Sequence, residues 1–481
     1  MKAVGARETT RGRVCFVLHS HLPWVLGHGS WPVGEEWLYQ AFGHSYIPLL
    51  QSLKDLSNRG FRNIASLGIT PILAAQLDHP YALSNMNIWL HDWQLRTQQI
   101  STTHPARAYL MDQSTSALQS FEQSFSRGIS PVVRSLIDSG AMEVLSGPLT
   151  HPFTPLLDPR IHRFALREGL KDARRRWGLE PSGIWVPECA YRPGQELVYE
   201  ELGITHFLVD EPAVSSAGGQ ANIPYLLAQS ETRVIARDLQ ASDHIWSAER
   251  GYPGRFHYQD FHAIDTDIGL RLSRVGDRSK SDKDPYIPDS AHEAITSDAR
   301  EFIAQLKSNL DDQIRVGTTN IPLVVIAIDT ELLGHWWHEG VTWFTQVIEM
   351  LPESGIETVT LSEATRDAKQ TIVLGDCSWG EGKDWRIWNS DPVRDLVVMN
   401  HQTQIKVLDH SSSPQLHSQL MNEAMLQLSS DWAFMISRNS AADYGRLRAQ
   451  EHFHRFNELL DGKSPPPSML PFSFSLSDQT L

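Results

Sequence analysis

Cysteine is scarce in this chain, with three in 481 residues: Cys15, Cys189 and Cys377, far apart and without a Cys-x-x-Cys pair. An odd, scattered set argues against a disulfide framework and suits a reducing compartment. Long apolar runs are also missing. None approaches the roughly 20 residues that a membrane helix needs. The Val14–Leu18 run is shorter than a signal-peptide core, is broken by His19, and follows a polar Met1–Arg13. Dense Lys/Arg runs are absent and the formal net charge is -15, which excludes the basic surface that tracks phosphates or anionic lipid. There is no internal repeat. These absences leave a cytoplasmic protein with no nucleic-acid or membrane partner, acting on a neutral or small substrate.

What is present is globular. Hydrophobic residues make up 41% and charged residues 21%, enough apolar material for a large core. The length suggests two or three structural units. Strand-like runs recur at Val14–Leu18, Ile64–Leu67, Met142–Leu145, Gly183–Val186, His206–Val209, Arg233–Ala236, Leu323–Ile328 and Thr358–Leu361. Helical patterns lie between them, as in Arg163–Trp177 and Ala291–Leu306, and this alternation predicts a mainly parallel sheet. The polar stretch from about residue 83 to 139 reads as an inserted helical region. Val214–Asn222 and Ser273–Asp284 read as long polar loops, either lids or plain surface excursions. Beyond Arg366 the pattern changes to helices. One carries Leu416, Leu420, Ala424 and Leu428 behind Ser413 as N-cap; another carries Ala449, Phe453, Phe456 and Leu460. The expected organisation is a catalytic unit over 1–366, a helical domain over 367–462 and an extended tail over 463–481.

Several polar residues follow directly on the strand-like runs. In a parallel barrel the C-terminal strand ends converge on one face, where active sites sit. Glu188 follows a strand within Trp185-Val186-Pro187-Glu188-Cys189-Ala190-Tyr191. A carboxylate beside aromatic faces suits attack on a sugar, whose C–H faces stack on rings; the bland reading is a helix cap or an arginine partner. Asp329 ends Val325-Ile326-Ala327-Ile328 and precedes His335-Trp336-Trp337-His338; its bland reading is an N-cap. Together the two supply the carboxylate pair of glycoside chemistry. In His19-Ser20-His21 the two imidazoles share one side of a strand. They could bind sugar hydroxyls, bind a metal, or be satisfied core groups. His151 follows another strand. Trp379 and Trp388, flanked by charge and glycine, suggest rings exposed to a groove.

The ordered set His19–Trp24, Gly140–Pro152, Trp185–Tyr191, Asp329–Gly340 and Leu361–Ala364 resembles the motifs of glycoside hydrolase family 57. Arg237-Asp238, Ile245-Trp246-Ser247, Gly251–Gly254, Asp284-Pro285-Tyr286, Ser378–Gly382 and Ser429–Phe434 are similar, more narrowly, to its α-1,4-glucan branching enzymes. The resemblance spans residues 13 to 461. It implies an α/β fold: an incomplete (β/α)7 barrel with an inserted helical region and a C-terminal α-helical domain. It implies a retaining mechanism with Glu188 as nucleophile and Asp329 as general acid/base. His19, His21 and His151 would line the donor site, and Arg237, Gly254, Trp379 and Asp431 would contact glucan, with Trp24 and Trp246 nearby. It implies no metal and no organic cofactor. Two features depart from the pattern. Asn389–Asn400 lacks the further tryptophans expected after Trp388, and Val214–Asn222 has no lid counterpart, leaving Tyr225 as the lid tyrosine. Rival readings are an α-glucan hydrolase or 4-α-glucanotransferase, a metal-dependent amidohydrolase using His19, His21 and Asp329, and an inactive glucan-binding module.

Overall fold

The computed structural model of the chain describes residues 12–247, 249–280, 282–316, 321–409, 414–464 and 469–472. Met1–Arg11, the predicted cap Ser413 and most of the expected tail lie outside these residues.

Seven parallel strands build the barrel: β1 Gly12–Ser20, β2 Ala65–Ile69, β3 Met142–Leu145, β4 Gly183–Ile184, β5 His206–Val209, β6 Arg233–Ala236 and β7 Leu323–Asp329. Their residues are apolar almost without interruption because helices cover the outer face while the barrel core fills the inner one. The strands form two ladders. One runs β7-β1-β2-β3 and the other contains β4, β5 and β6. A parallel bridge between Ser146 and Ile184 joins β3 to β4. Between β6 and β7 there is no ladder. Side chains and one backbone bond stitch that seam: Asp238 N–H donates to the Val325 carbonyl (2.7 Å), and Val325 N–H donates to Asn222 Oδ1 (2.9 Å). The barrel is therefore incomplete in the sense expected.

The outer helices follow standard signals. Asp158 caps the helix Pro159–Trp177 through Arg160 N–H, and Gly178 ends it in the left-handed region (φ 79°). The chain between β2 and β3 carries the helices Pro80–Gln98, Arg107–Ser120 and Ser130–Asp138. After the barrel come Arg394–Asp409, Pro414–Gln427, Ser430–Ser437 and Ala442–Leu460. The last of these is locked to the barrel by Arg448, whose guanidinium donates to the Trp24 carbonyl (2.7 Å) and lies over the Trp432 ring. Its neighbour His452 bonds Glu423, which also holds Arg455. Among the described residues no helix is long and apolar enough to cross a membrane.

Three local expectations change. The strand expected at Thr358–Leu361 is instead Ile356–Thr358, and Leu361 opens a helix, because Thr360 and Glu363 form a reciprocal capping box. Val214 belongs to the helix Glu211–Ser216, capped by Asp210, so the loop is shorter than it reads. Tyr225 is no lid: it lies in the strand Tyr225–Leu227, buried, with its hydroxyl accepting from Gln220 N–H.

Candidate active site

The C-terminal strand ends open into one cleft of about 1990 Å³, with both Glu188 and Asp329 in its wall. Ladder register fixes part of the arrangement. His19 on β1 stands opposite Asp329 on β7, so two residues 310 apart in sequence become neighbours. His21, two residues on, returns to the same side, where its Nε2–H donates to the Asp431 carboxylate (2.9 Å) and its Nδ1 bonds the Thr70 hydroxyl (3.0 Å).

Glu188 sits on a sharp turn after β4. Its backbone is left-handed (φ 61°), as is that of Cys189 (φ 48°) and of His151 after β3 (φ 55°). Each such residue costs about 1–3 kcal/mol and persists only where its surroundings over-determine it. Trp379 does much of that. Its backbone N–H donates to the Glu188 carbonyl (2.9 Å) and its indole Nε1 donates to Glu188 Oε2 (2.8 Å). Ser430 Oγ donates to Oε1 (2.8 Å). Both carboxylate oxygens are thus held from outside the barrel. Asp329, by contrast, accepts no hydrogen bond on its carboxylate among the described residues and faces the cleft.

Burial pushes Glu188 up to about 7, against the hydrogen bonds from Trp379 and Ser430, which favour its anion. Burial likewise raises Asp329 to about 6, opposed by Arg237 and His21. Behind them, Glu331 is raised to about 8 by burial and by Asp329; Tyr46 hydroxyl and His21 N–H donate to it. The histidines divide. Burial and their mutual proximity drive His19 and His151 well down, so both are neutral. Burial also lowers His21, but the Asp431 carboxylate outweighs it and leaves His21 raised.

The walls are aromatic. The His19 ring stacks flat on Trp185 (4.2 Å between centroids), and Trp185 meets Trp379 edge-on (5.1 Å). Arg237 lies over Trp379 and is itself held by Asp210, which Lys383 also contacts. Trp246 is 49% exposed on the cleft wall. His19, His21, His151, Arg237, Trp246, Gly254, Trp379 and Asp431 all line the cleft with the two carboxyls.

Trp24 does not. It is 1% exposed and faces the core against His79, so the expected glucan contact is corrected to a structural anchor for the C-terminal helix. Trp388 does line the cleft, although at 2% exposure and stacked on Phe153 it presents little of its ring. Sequence reading missed the bond from Ser430 to Glu188. The signal was present in Ser429-Ser430-Asp431, but the role depends on how the helix docks. It also missed Asp210 and Lys383 as partners that position Arg237.

The metal reading needed His19, His21 and Asp329 together. The grouping found instead is His21, His151 and Asp431, whose ligand atoms lie within 4.8 Å of one another. Their nitrogens already have hydrogen-bond partners. His21 uses both on Asp431 and Thr70, and His151 uses both on His19 (3.2 Å) and Ser430 (3.0 Å). The two rings also stack face to face at 3.9 Å, so their in-plane lone pairs do not converge. The arrangement suits recognition of hydroxyls better than coordination.

Two carboxyls at strand ends, in an aromatic cleft on a parallel barrel, define an enzyme of the glycoside hydrolase class. The chain belongs to glycosyl hydrolase family 57, whose model matches residues 15–375; a second model, 1,4-alpha-glucan branching enzyme, C-terminal, matches residues 398–464. A probable 1,4-alpha-glucan branching enzyme of Mycobacterium tuberculosis is 40% identical, over 93% of this chain and 91% of its own. The crystal structure of a family 57 branching enzyme from Pyrococcus horikoshii superposes with a TM-score of 0.88 at 30% identity, covering 93% of this chain and 90% of that one. The alpha-amylase AmyC from Thermotoga maritima superposes with a TM-score of 0.81 at 27% identity, covering 94% and 93%.

Proposed function

We propose that the protein is a 1,4-α-glucan branching enzyme working by double displacement. Asp329, protonated, gives its proton to the leaving glycosidic oxygen while Glu188 attacks the anomeric carbon and forms a glycosyl ester. Asp329, now a base, takes the proton of the incoming hydroxyl, the ester breaks, and Glu188 leaves as carboxylate. With a glucan 6-hydroxyl as acceptor the product is an α-1,6 branch, which places the enzyme in glycogen or related polysaccharide synthesis. Three free, buried cysteines suit the reducing cytoplasm.

The observation that supports the role assignment is the asymmetry in hydrogen bonding. Two donors fix Glu188 and stabilise its anion, as a nucleophile requires. Asp329 is unencumbered and free to give and take a proton. Burial raises both carboxyls, Glu188 to about 7 and Asp329 to about 6, so a proton is retained in the site at slightly acid pH. The likeness to an alpha-amylase gives hydrolysis a standing as the second reading: water and a sugar hydroxyl differ only in who reaches the ester. Incubation with amylose separates them. Branching predicts new chain ends released by a debranching enzyme with little rise in reducing ends. A rise in reducing ends without α-1,6 links would assign the protein as a hydrolase.

A further inference from the structure

Against the loop that follows Asp329 lies a second, much smaller cavity of about 40 Å³. Trp336 of that loop lines the large cleft, while His335 and His338 on either side of it line the cavity. The helices between β2 and β3 contribute Arg96 and Gln113, His44 comes from the chain after β1, and Arg271 comes from the segment before β7. The lining contains two arginines and three histidines, and no carboxylate among the described residues.

Charge in this cavity is not balanced. Arg96 has a partner in Asp92 (2.8 Å) and donates to the Gly269 carbonyl. Arg271 donates through Nε to the Phe261 carbonyl (2.7 Å) and lies over the Phe261 ring, but no carboxylate among the described residues is within ion-pair range of it. The Asp260 carboxylate, paired with Lys283 (3.4 Å), offsets the Arg271 charge only in part and from beyond ion-pair range. Burial lowers Arg271 to about 10, which still leaves it a cation at neutral pH. Three further groups are buried without a partner: His335 Nδ1, His338 Nε2 and the Gln113 side-chain oxygen. The Gln113 amide can present either end, and neutral histidines can each present an N–H. Arg271 is half-buried, and a cation held partly out of water favours an anion beside it, while buried donors are rarely left unused.

We infer that this cavity is a binding site for a small monovalent anion of chloride size, held by Arg271, His335 and His338. The volume exceeds the roughly 10–15 Å³ that one water requires and is small for a tetrahedral oxyanion with its own hydration. One cation without an ion-pair partner favours one negative charge. The bound anion ties the insertion, the segment before β7 and the loop after Asp329 together, and so fixes Trp336 in the cleft. The loop already approaches its neighbours closely: Gly334 has φ 96°, and a Cβ there would lie 2.0 Å from the His44 carbonyl oxygen.

The test uses the full chain and does not depend on its glucan chemistry. Crystals grown in sodium bromide should show an anomalous peak in the cavity, bounded by Arg271, His335 and His338. In solution, replacing gluconate by chloride at constant ionic strength should raise Tm saturably, by about 2 °C at saturating chloride. Sulfate should raise Tm only without saturation, and equally in the wild type and the variants below. Arg271→Met should abolish the chloride effect, and His335→Phe serves as the second variant if the first does not fold. A cavity holding only water in bromide crystals would overturn the inference. So would a chloride response that either variant retains in full.

Discussion

The barrel rim and the C-terminal region meet at Glu188 and contribute different things. The rim supplies the two carboxyls to which the proposed mechanism gives the chemistry, together with His19. Asp329 and His19 are placed by ladder register, and Glu188 by a strained turn after a strand end. The region after the barrel supplies the groups that hold. Trp379 and Ser430 fix the two oxygens of Glu188, and Asp431 sets the charge of His21. Reactivity is therefore written into the sheet, while geometry depends on helices docked from elsewhere, through contacts such as Arg448 to Trp24. Substitutions on the two sides should fail in different ways.

The largest effect belongs to the rim. Glu188→Gln removes the proposed nucleophile and should lower kcat at least about 10³-fold. Its stability should move the other way. The folded value of about 7 lies above the ordinary 4.5, so the stability gained from the protonated form is fully present below pH 4.5 and is lost as the pH rises through 7. At pH 8 the variant should therefore melt higher than the wild type, and at pH 4.5 the difference should vanish. A loss of both activity and stability at pH 8 would place Glu188 in the framework instead.

On the holding side, Trp379→Phe deletes a hydrogen bond to a charged group, about 1.5–3 kcal/mol, while keeping a ring. It should cost about 10–100-fold in kcat with the fold intact by circular dichroism. A change confined to KM would show that Trp379 serves only as a wall. Joining the two regions, kcat/KM should follow a narrow bell centred near pH 6.5, between the values of about 6 and 7 for Asp329 and Glu188. Asp431→Asn should move the flanks of that bell by altering His21, which a purely structural role would leave in place. The smallest effect is expected furthest from the chemistry. Trp246→Ala removes one exposed stacking face, worth roughly 0.5–1.5 kcal/mol, and should raise KM for amylose a few-fold with kcat little changed.

The sequence shows the rim more clearly than the holding groups, for a physical reason. Apolar strands followed by Glu188, Asp329 or a histidine pair announce themselves locally, and the parallel topology brings such ends together whatever lies between. The same local reading misplaces Trp24, which is absent from the cleft lining. A tryptophan beside a motif looks alike whether its ring faces a groove or the core, and only docking of the last helices decides. Tyr225 fails similarly, since strand pairing buries it. The bond from Ser430 to Glu188 spans 242 residues, and the left-handed backbone at Glu188 leaves no compositional trace because no glycine marks it. The anion cavity is equally invisible in sequence, for its walls come from the insertion, the segment before β7 and the loop after it.

The most direct test of the central claim traps the glycosyl ester. Asp329→Asn should accept an α-maltotriosyl fluoride, whose leaving group needs no acid, yet lack the base to release the ester. Peptide mass spectrometry after rapid quenching should then find one maltotriosyl group on Glu188. An unmodified Glu188, or the sugar on another side chain, would contradict the assignment.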